Sequence, residues 1–131
     1  AGARIVGEGD CRMREAYDAA HADPTPENVH ELRIAAKRAR YAMEYFAELT
    51  GPAARQRAKR LARLQDELGA RQDAAMLARR MRRYAKTIPH KDHELTLGAG
   101  SVLGQLERLS RIKRGELRAA WEAANHIEHV G

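Results

Sequence analysis

The sequence predicts an all-α protein, an antiparallel helical bundle of about four helices, on three observations. Apolar residues recur at helical spacing along most of the chain, Pro24, Pro26, Pro52, Pro89, Gly51 and residues 98–101 cut it into helix-sized pieces, and no alternating strand pattern competes. Composition agrees: 44% of the 131 residues are hydrophobic but only 5% aromatic, so a core must be built from Leu, Met and Ala, all good helix formers. A chain of this length buries roughly two-thirds of its unfolded surface, enough for one domain. We take that domain as residues 4–128, with residues 1–3 set aside as a cloning remnant.

The first helix is expected over about residues 9–22, where Met13, Ala16, Tyr17 and Ala20 share a face. The second starts at Thr25, a good N-cap followed by Pro26 at the first helical position and Glu27 in the first turn, and should run to Leu49 before Gly51. Its apolar face is Leu32, Ala35, Ala36, Ala39, Ala42, Met43 and Phe46. The third runs from Pro52 to about Lys86, with Leu61, Leu64 and Leu68 on one arc and Leu77, Met81 and Tyr84 on another. Gly69 separates the arcs and marks either a kink or a helix boundary. The last piece aligns Leu95, Val102, Leu106, Leu109, Leu117, Ala120, Ala124 and Ile127, with Gly98 and Gly100 either inside one long helix or in a loop that Ser101 caps.

Charge is distributed unevenly. Residues 1–32 carry 3 basic and 7 acidic side chains, residues 33–86 carry 15 and 5, and residues 87–131 carry 6 of each, within an overall net charge of +6. A basic segment of this kind raises the local concentration of polyanions, although Arg-rich helices also serve as plain solvated faces. On a helical wheel, His30, Arg33, Lys37 and Tyr41 lie opposite the apolar face of the second helix, flanked by Arg38 and Arg40. The row places about one cation per turn along roughly 15 Å of axis. On the third helix Arg55, Lys59 and Arg63 follow one another at i, i+4 with Arg60 beside them, away from the leucine arc. Two such rows turned to a common groove would make a site for a repeating anion; rows on separate faces would not.

The segment VHELRIAAKRARYAMEYF, followed about twenty residues later by LQDELGARQD, resembles the CHAD family of conserved-histidine α-helical domains over about residues 29–77. The resemblance implies a helical domain that binds inorganic polyphosphate through basic residues of a groove and is not itself catalytic. It makes His30, Arg33, Lys37, Arg38 and Arg40 the first candidates for phosphate contact. Arg55, Lys59, Arg60 and Arg63 follow, on the wheel argument more than on the motif. The family typically carries two such repeats, and this chain shows one, so it is expected to be one half, the C-terminal one, either without its partner half or completed as a homodimer. The chemistry suits the ligand: every unit of a phosphate polymer is charged and there are no base edges to read, so regularly spaced Arg forks and Lys point charges suffice.

Other readings stay open at single residues. His30 also fits a helix-start residue bonded to the preceding turn, and Tyr41 a groove wall. His90 with His93, and His126 with His129, have i, i+3 spacing but too few ligands for a closed zinc site. Asp66 and Asp73 read as ion-pair partners of Arg63 or Lys59, or as a cap beside Gly69; Lys113 lies on the apolar arc of the last piece. No nucleophile setting, Gly-rich phosphate loop or Ser/His/Asp order is present, so no catalysis, cofactor or metal is expected. Nucleic-acid backbone binding and a purely structural bundle are the alternatives, the former weakened by the lack of aromatic stacking residues among the cations. The single Cys11, with no signal-peptide core and no apolar run of about 20 residues, points to a cytoplasmic protein without a membrane span, associated with polyphosphate granules if the resemblance holds.

Overall fold

The computed structural model describes residues 2–126, with side chains described from residue 4. Its five helices are α1 (Gly2–Ala22), α2 (Pro26–Thr50), α3 (Pro52–Ala85), α4 (His93–Ser110) and α5 (Arg114–Asn125), and no strand occurs among the described residues. The chain is all-α, as expected. It divides into two compact units, residues 1–68 with 113–131, and residues 69–112.

In the first unit α1 and α2 form an antiparallel hairpin. Thr25 ends the turn between them, its hydroxyl oxygen accepting from the Asn28 N–H at 3.1 Å. The seam is made of small residues: Ala20, Ala36 and Ala39 are buried, and a Cβ built at Gly9 would stand 3.9 Å from the Ala39 Cα. That close approach lets α1 begin at Gly2, earlier than the expected residue 9, because packing compensates for Gly7 and Gly9 inside a helix. The buried stripe of α2 is Val29, Leu32, Ala36, Ala39, Met43 and Ala47, with Ala35, Ala42 and Phe46 only half-buried at its margins.

Gly51 turns the chain from α2 into α3 at φ 94°, a backbone region that strongly favours glycine, while its N–H donates to the Ala47 carbonyl. Leu61, Leu64 and Leu68 are then buried as expected. Arg57 bridges to Asp10 of α1 at 2.8 Å. The unit is completed by α5, which buries Leu117, Ala120 and Ala124. Trp121 stacks on Tyr17, ring centroids 4.4 Å apart and planes 8° from parallel. Arg114 closes the C-terminus of α1 by donating to the carbonyls of His21 and Ala22 at 3.0 and 2.9 Å.

The second unit holds the C-terminal part of α3 and α4. α3 continues through Gly69 without a break, which resolves the choice that the sequence leaves open. Two expectations are corrected here. The last piece is two helices, because the chain leaves helical geometry at Arg111 and buries Ile112 before restarting. Of the two readings left open for Gly98 and Gly100 the structure takes the first, since both lie inside α4, which Asp92 caps with its carboxylate accepting from the Leu95 N–H. The arc of Leu77, Met81 and Tyr84 is not core. Leu77 and Tyr84 are exposed, as are Leu95, Val102 and Leu109, while Ala74, Ala78 and Ala99 are buried. Two helices cover only one narrow stripe of each other, and the small residues occupy it. Arg71 donates to the carbonyls of Leu109 and Arg111 at the end of α4, and Arg82 pairs with Glu107. Lys113 is the exposed N-cap residue of α5, where its N–H donates to the Glu116 carboxylate. Ile127 and His129 lie outside the described residues.

Ala39→Leu is expected to lower unfolding free energy by about 1–3 kcal/mol through overpacking of the seam, whereas Gly9→Ala, which makes only an ordinary contact, should raise it by up to about 1 kcal/mol; urea denaturation reads both. Burial raises the Tyr17 pKa above its ordinary value, against a lowering by Arg118. A phenol whose folded pKa lies above its unfolded one contributes stability below the unfolded value that is lost as pH rises through the folded one. Alkaline titration of stability should therefore show a decline from about pH 10 upward that is smaller in Tyr17→Phe.

Candidate anion-binding site

The stretch from Leu32 to Met43 buries one stripe of α2 and thereby turns the opposite stripe outward, so the rotation of the helix is set by its apolar residues. On that outer stripe His30, Arg33, Ile34 and Lys37 meet Gln65 of α3 around a cavity of about 160 Å³. His30 and Lys37 are exposed and Arg33 is half-buried. Three of the expected site residues are thus brought together by the first two turns of the row.

Farther along, Tyr41 acts as a platform for the row. The Arg40 guanidinium lies 4.8 Å from its ring centroid and the Lys37 ammonium 5.8 Å away. A ring between two cations attracts both through its quadrupole and offsets part of their mutual repulsion. Arg40 is also 3.5 Å from the Glu44 carboxylate, one turn on. Part of its charge is therefore countered by the protein. Arg38 stands apart: with Arg12 and Glu8 it lines a different cavity of about 160 Å³ against α1.

The α3 row faces elsewhere. Lys59, Arg60 and Arg63 line a cavity of about 440 Å³ whose far wall is Ala123 and His126 at the end of α5. At 100° per residue Gln65, which closes the α2 cavity, lies roughly 120° to 160° round α3 from these three cations. Among the described cavities the two rows therefore line different ones. Burial of Leu61, Leu64 and Leu68 toward the other helices fixes the rotation of α3, and that rotation carries its cations to the α5 side. Arg55, in the first turn of α3, is exposed and lines neither cavity.

Gln65 is the residue that sequence reasoning missed. It is buried, with 9% of its surface exposed, and its Oε1 has no hydrogen-bond partner. The signal was present, since Gln65 sits on the same arc as Leu61 and Leu68, where a polar side chain needs a reason. An amide there offers one donor and one acceptor group to whatever enters between His30 and Lys37. Asp66 and Asp73 are exposed and make no ion pair among the described residues, so neither relieves Arg63 or Lys59 as expected. Among the described residues no group of three or more His, Cys, Asp and Glu could hold a metal ion, and no helix is long and apolar enough to cross a membrane.

Basic residues one turn apart, an aromatic platform beneath them and a leucine-anchored neighbour are thus gathered on the α2 segment first singled out by its histidine. The CHAD domain family model matches residues 3–82. The chain belongs to the CHAD family. The match extends well beyond the motif segment and takes in α1, α2 and nearly all of α3, the elements that place both cation rows. No curated protein and no solved structure matches the chain. For this CHAD domain, Tyr41→Leu is expected to lower stability by about 0.5–1 kcal/mol because no ring then attracts the two cations, with helicity unchanged by circular dichroism; an unaltered unfolding midpoint would show that the ring does not hold the row.

Proposed function

We propose that this CHAD domain binds inorganic polyphosphate, without catalysis, through the α2 row. The family is associated with polyphosphate binding, and the observation that carries the reading here is the cavity at which His30, Arg33 and Lys37 converge beside the buried Gln65 amide. Arg33 supplies a planar fork to phosphate oxygens, Lys37 a movable point charge, and His30 an exposed donor at the entrance. Arg40 and Tyr41 extend the row, with Tyr41 holding the spacing of the cations rather than stacking on ligand. Nothing in such a site reads sequence or cleaves a bond. It recognises regularly repeated charge, which suits recruitment to polyphosphate granules.

Nucleic acid is the competing polyanion. The Tyr41 ring on the row is already engaged by the protein's own cations, Lys37 and Arg40. The test is competition: long-chain polyphosphate should displace labelled DNA at lower phosphate concentration than random DNA displaces labelled polyphosphate. Affinity should fall as salt rises, since bound cations release counterions as they do on nucleic acid. Replacing Arg33, Lys37 and Arg40 together by Ala should weaken polyphosphate binding by at least about tenfold for each charge-assisted hydrogen bond removed, with circular dichroism unchanged. Equal affinity in the triple variant, or preference for DNA, would refute the assignment.

A further inference from the structure

A third cavity of the first unit is not used by the α2 row. About 440 Å³ in volume, it falls in the range of small-molecule pockets, about 300–1,000 Å³. One wall is about two turns of α3 presenting Gln56, Lys59, Arg60 and Arg63; the other is the C-terminal end of α5, where Ala123 leaves room and His126 follows the last helical residue. Among the described residues, every charged side chain on the lining is basic. The helix end would by itself repel an anion, because its free carbonyls carry partial negative charge. Arg60 answers this: its Nε donates to the Ala124 carbonyl at 3.4 Å, which anchors the guanidinium and leaves the two Nη groups for another acceptor.

Among the described residues, counter-charge is missing at this place and present at others. Arg57, on the same helix, is paired with Asp10, Arg40 with Glu44 and Arg82 with Glu107. Among the described residues no carboxylate is paired with Lys59, Arg60 or Arg63, although Asp66 and Glu67 follow on the same helix. Lys59 and Arg63 stand at i, i+4, where like charges repel. Three cations kept together around a roomy cavity, one of them anchored by a backbone carbonyl, form a receptor for a multiply charged oxyanion.

We propose that the α3–α5 cavity is a second oligophosphate site, taking a short run of linked phosphate groups on Lys59, Arg63 and the free Nη groups of Arg60, with His126 and Gln56 as further hydrogen-bond donors at its rim. Its ligand class rests on the reading of the α2 row, but its position does not. The two sites open on different sides of α3, so a short phosphate chain in one leaves the other vacant. A single protein molecule then carries two phosphate strands, or two stretches of one, and bridges them.

Isothermal titration of the full chain with tripolyphosphate tests this. The expected stoichiometry is two per chain, falling to one in Lys59→Gln/Arg63→Gln and to one in Arg33→Gln/Lys37→Gln, and to none when all four are replaced. In the α2 double variant, His126→Ala should weaken the remaining site severalfold. With long-chain polyphosphate, light scattering from bridged particles should appear for the unaltered chain and vanish in either double variant, although each still binds polymer. A stoichiometry of one that is unaffected by Lys59→Gln/Arg63→Gln would overturn the second site and leave the α2 reading intact. A stoichiometry of one abolished by Lys59→Gln/Arg63→Gln alone would do the reverse, making the α3–α5 cavity the phosphate site and removing the α2 row from that role.

Discussion

The rotation of α3 about its own axis is the constraint on which the site geometry rests. Leu61, Leu64 and Leu68 bury one arc of the helix, and three leucines withdrawn from water contribute several kcal/mol, about 1.5–3 kcal/mol each at full burial. Turning α3 to aim Lys59, Arg60 and Arg63 at the α2 row would expose that arc. Surface charge interactions are worth a fraction of this, so the leucines determine where the cations point. The cations in turn determine which cavities are basic.

The same arc explains Gln65. Its position between buried leucines makes it a core position by geometry, yet the α2 row lies directly across from it and a wholly apolar neighbour would leave the Arg33 and Lys37 head groups beside hydrocarbon. A neutral amide suits that boundary, being polar without adding charge. The protein also grades its cations. Some are tied to carboxylates and hold helices together, as Arg57 does to Asp10; some cap carbonyl ends, as Arg114 and Arg71 do; and a few are left facing cavities. Basic composition alone does not separate these three uses.

Much of the fold was legible from residue order. The Thr25 cap, Pro26, the Gly51 turn and the leucine arc of α3 are local signals whose physics acts within one or two turns, and each has the form expected of it. Other features were not legible for an equally physical reason. The break between α4 and α5 has no Pro or Gly to announce it; it occurs where Ile112 is drawn into its unit and Lys113 restarts the helix with Glu116. The exposure of Leu77, Tyr84 and Leu109 depends on how few neighbours their unit supplies. An amphipathic pattern states which face is apolar and is silent on whether anything covers it.

By itself the sequence determined the all-α class, the basic character of the middle of the chain, the His30–Arg33–Lys37 row and its CHAD family membership, because these depend on helical periodicity and on residue identity at fixed spacing. Only the tertiary structure decided that the α2 and α3 rows serve different cavities, that Arg38 belongs with α1, and that Gln65 and His126 complete the two basic surfaces. Those outcomes depend on the mutual rotation of helices. That rotation is set by the summed burial of side chains from separate elements, a quantity no single segment contains.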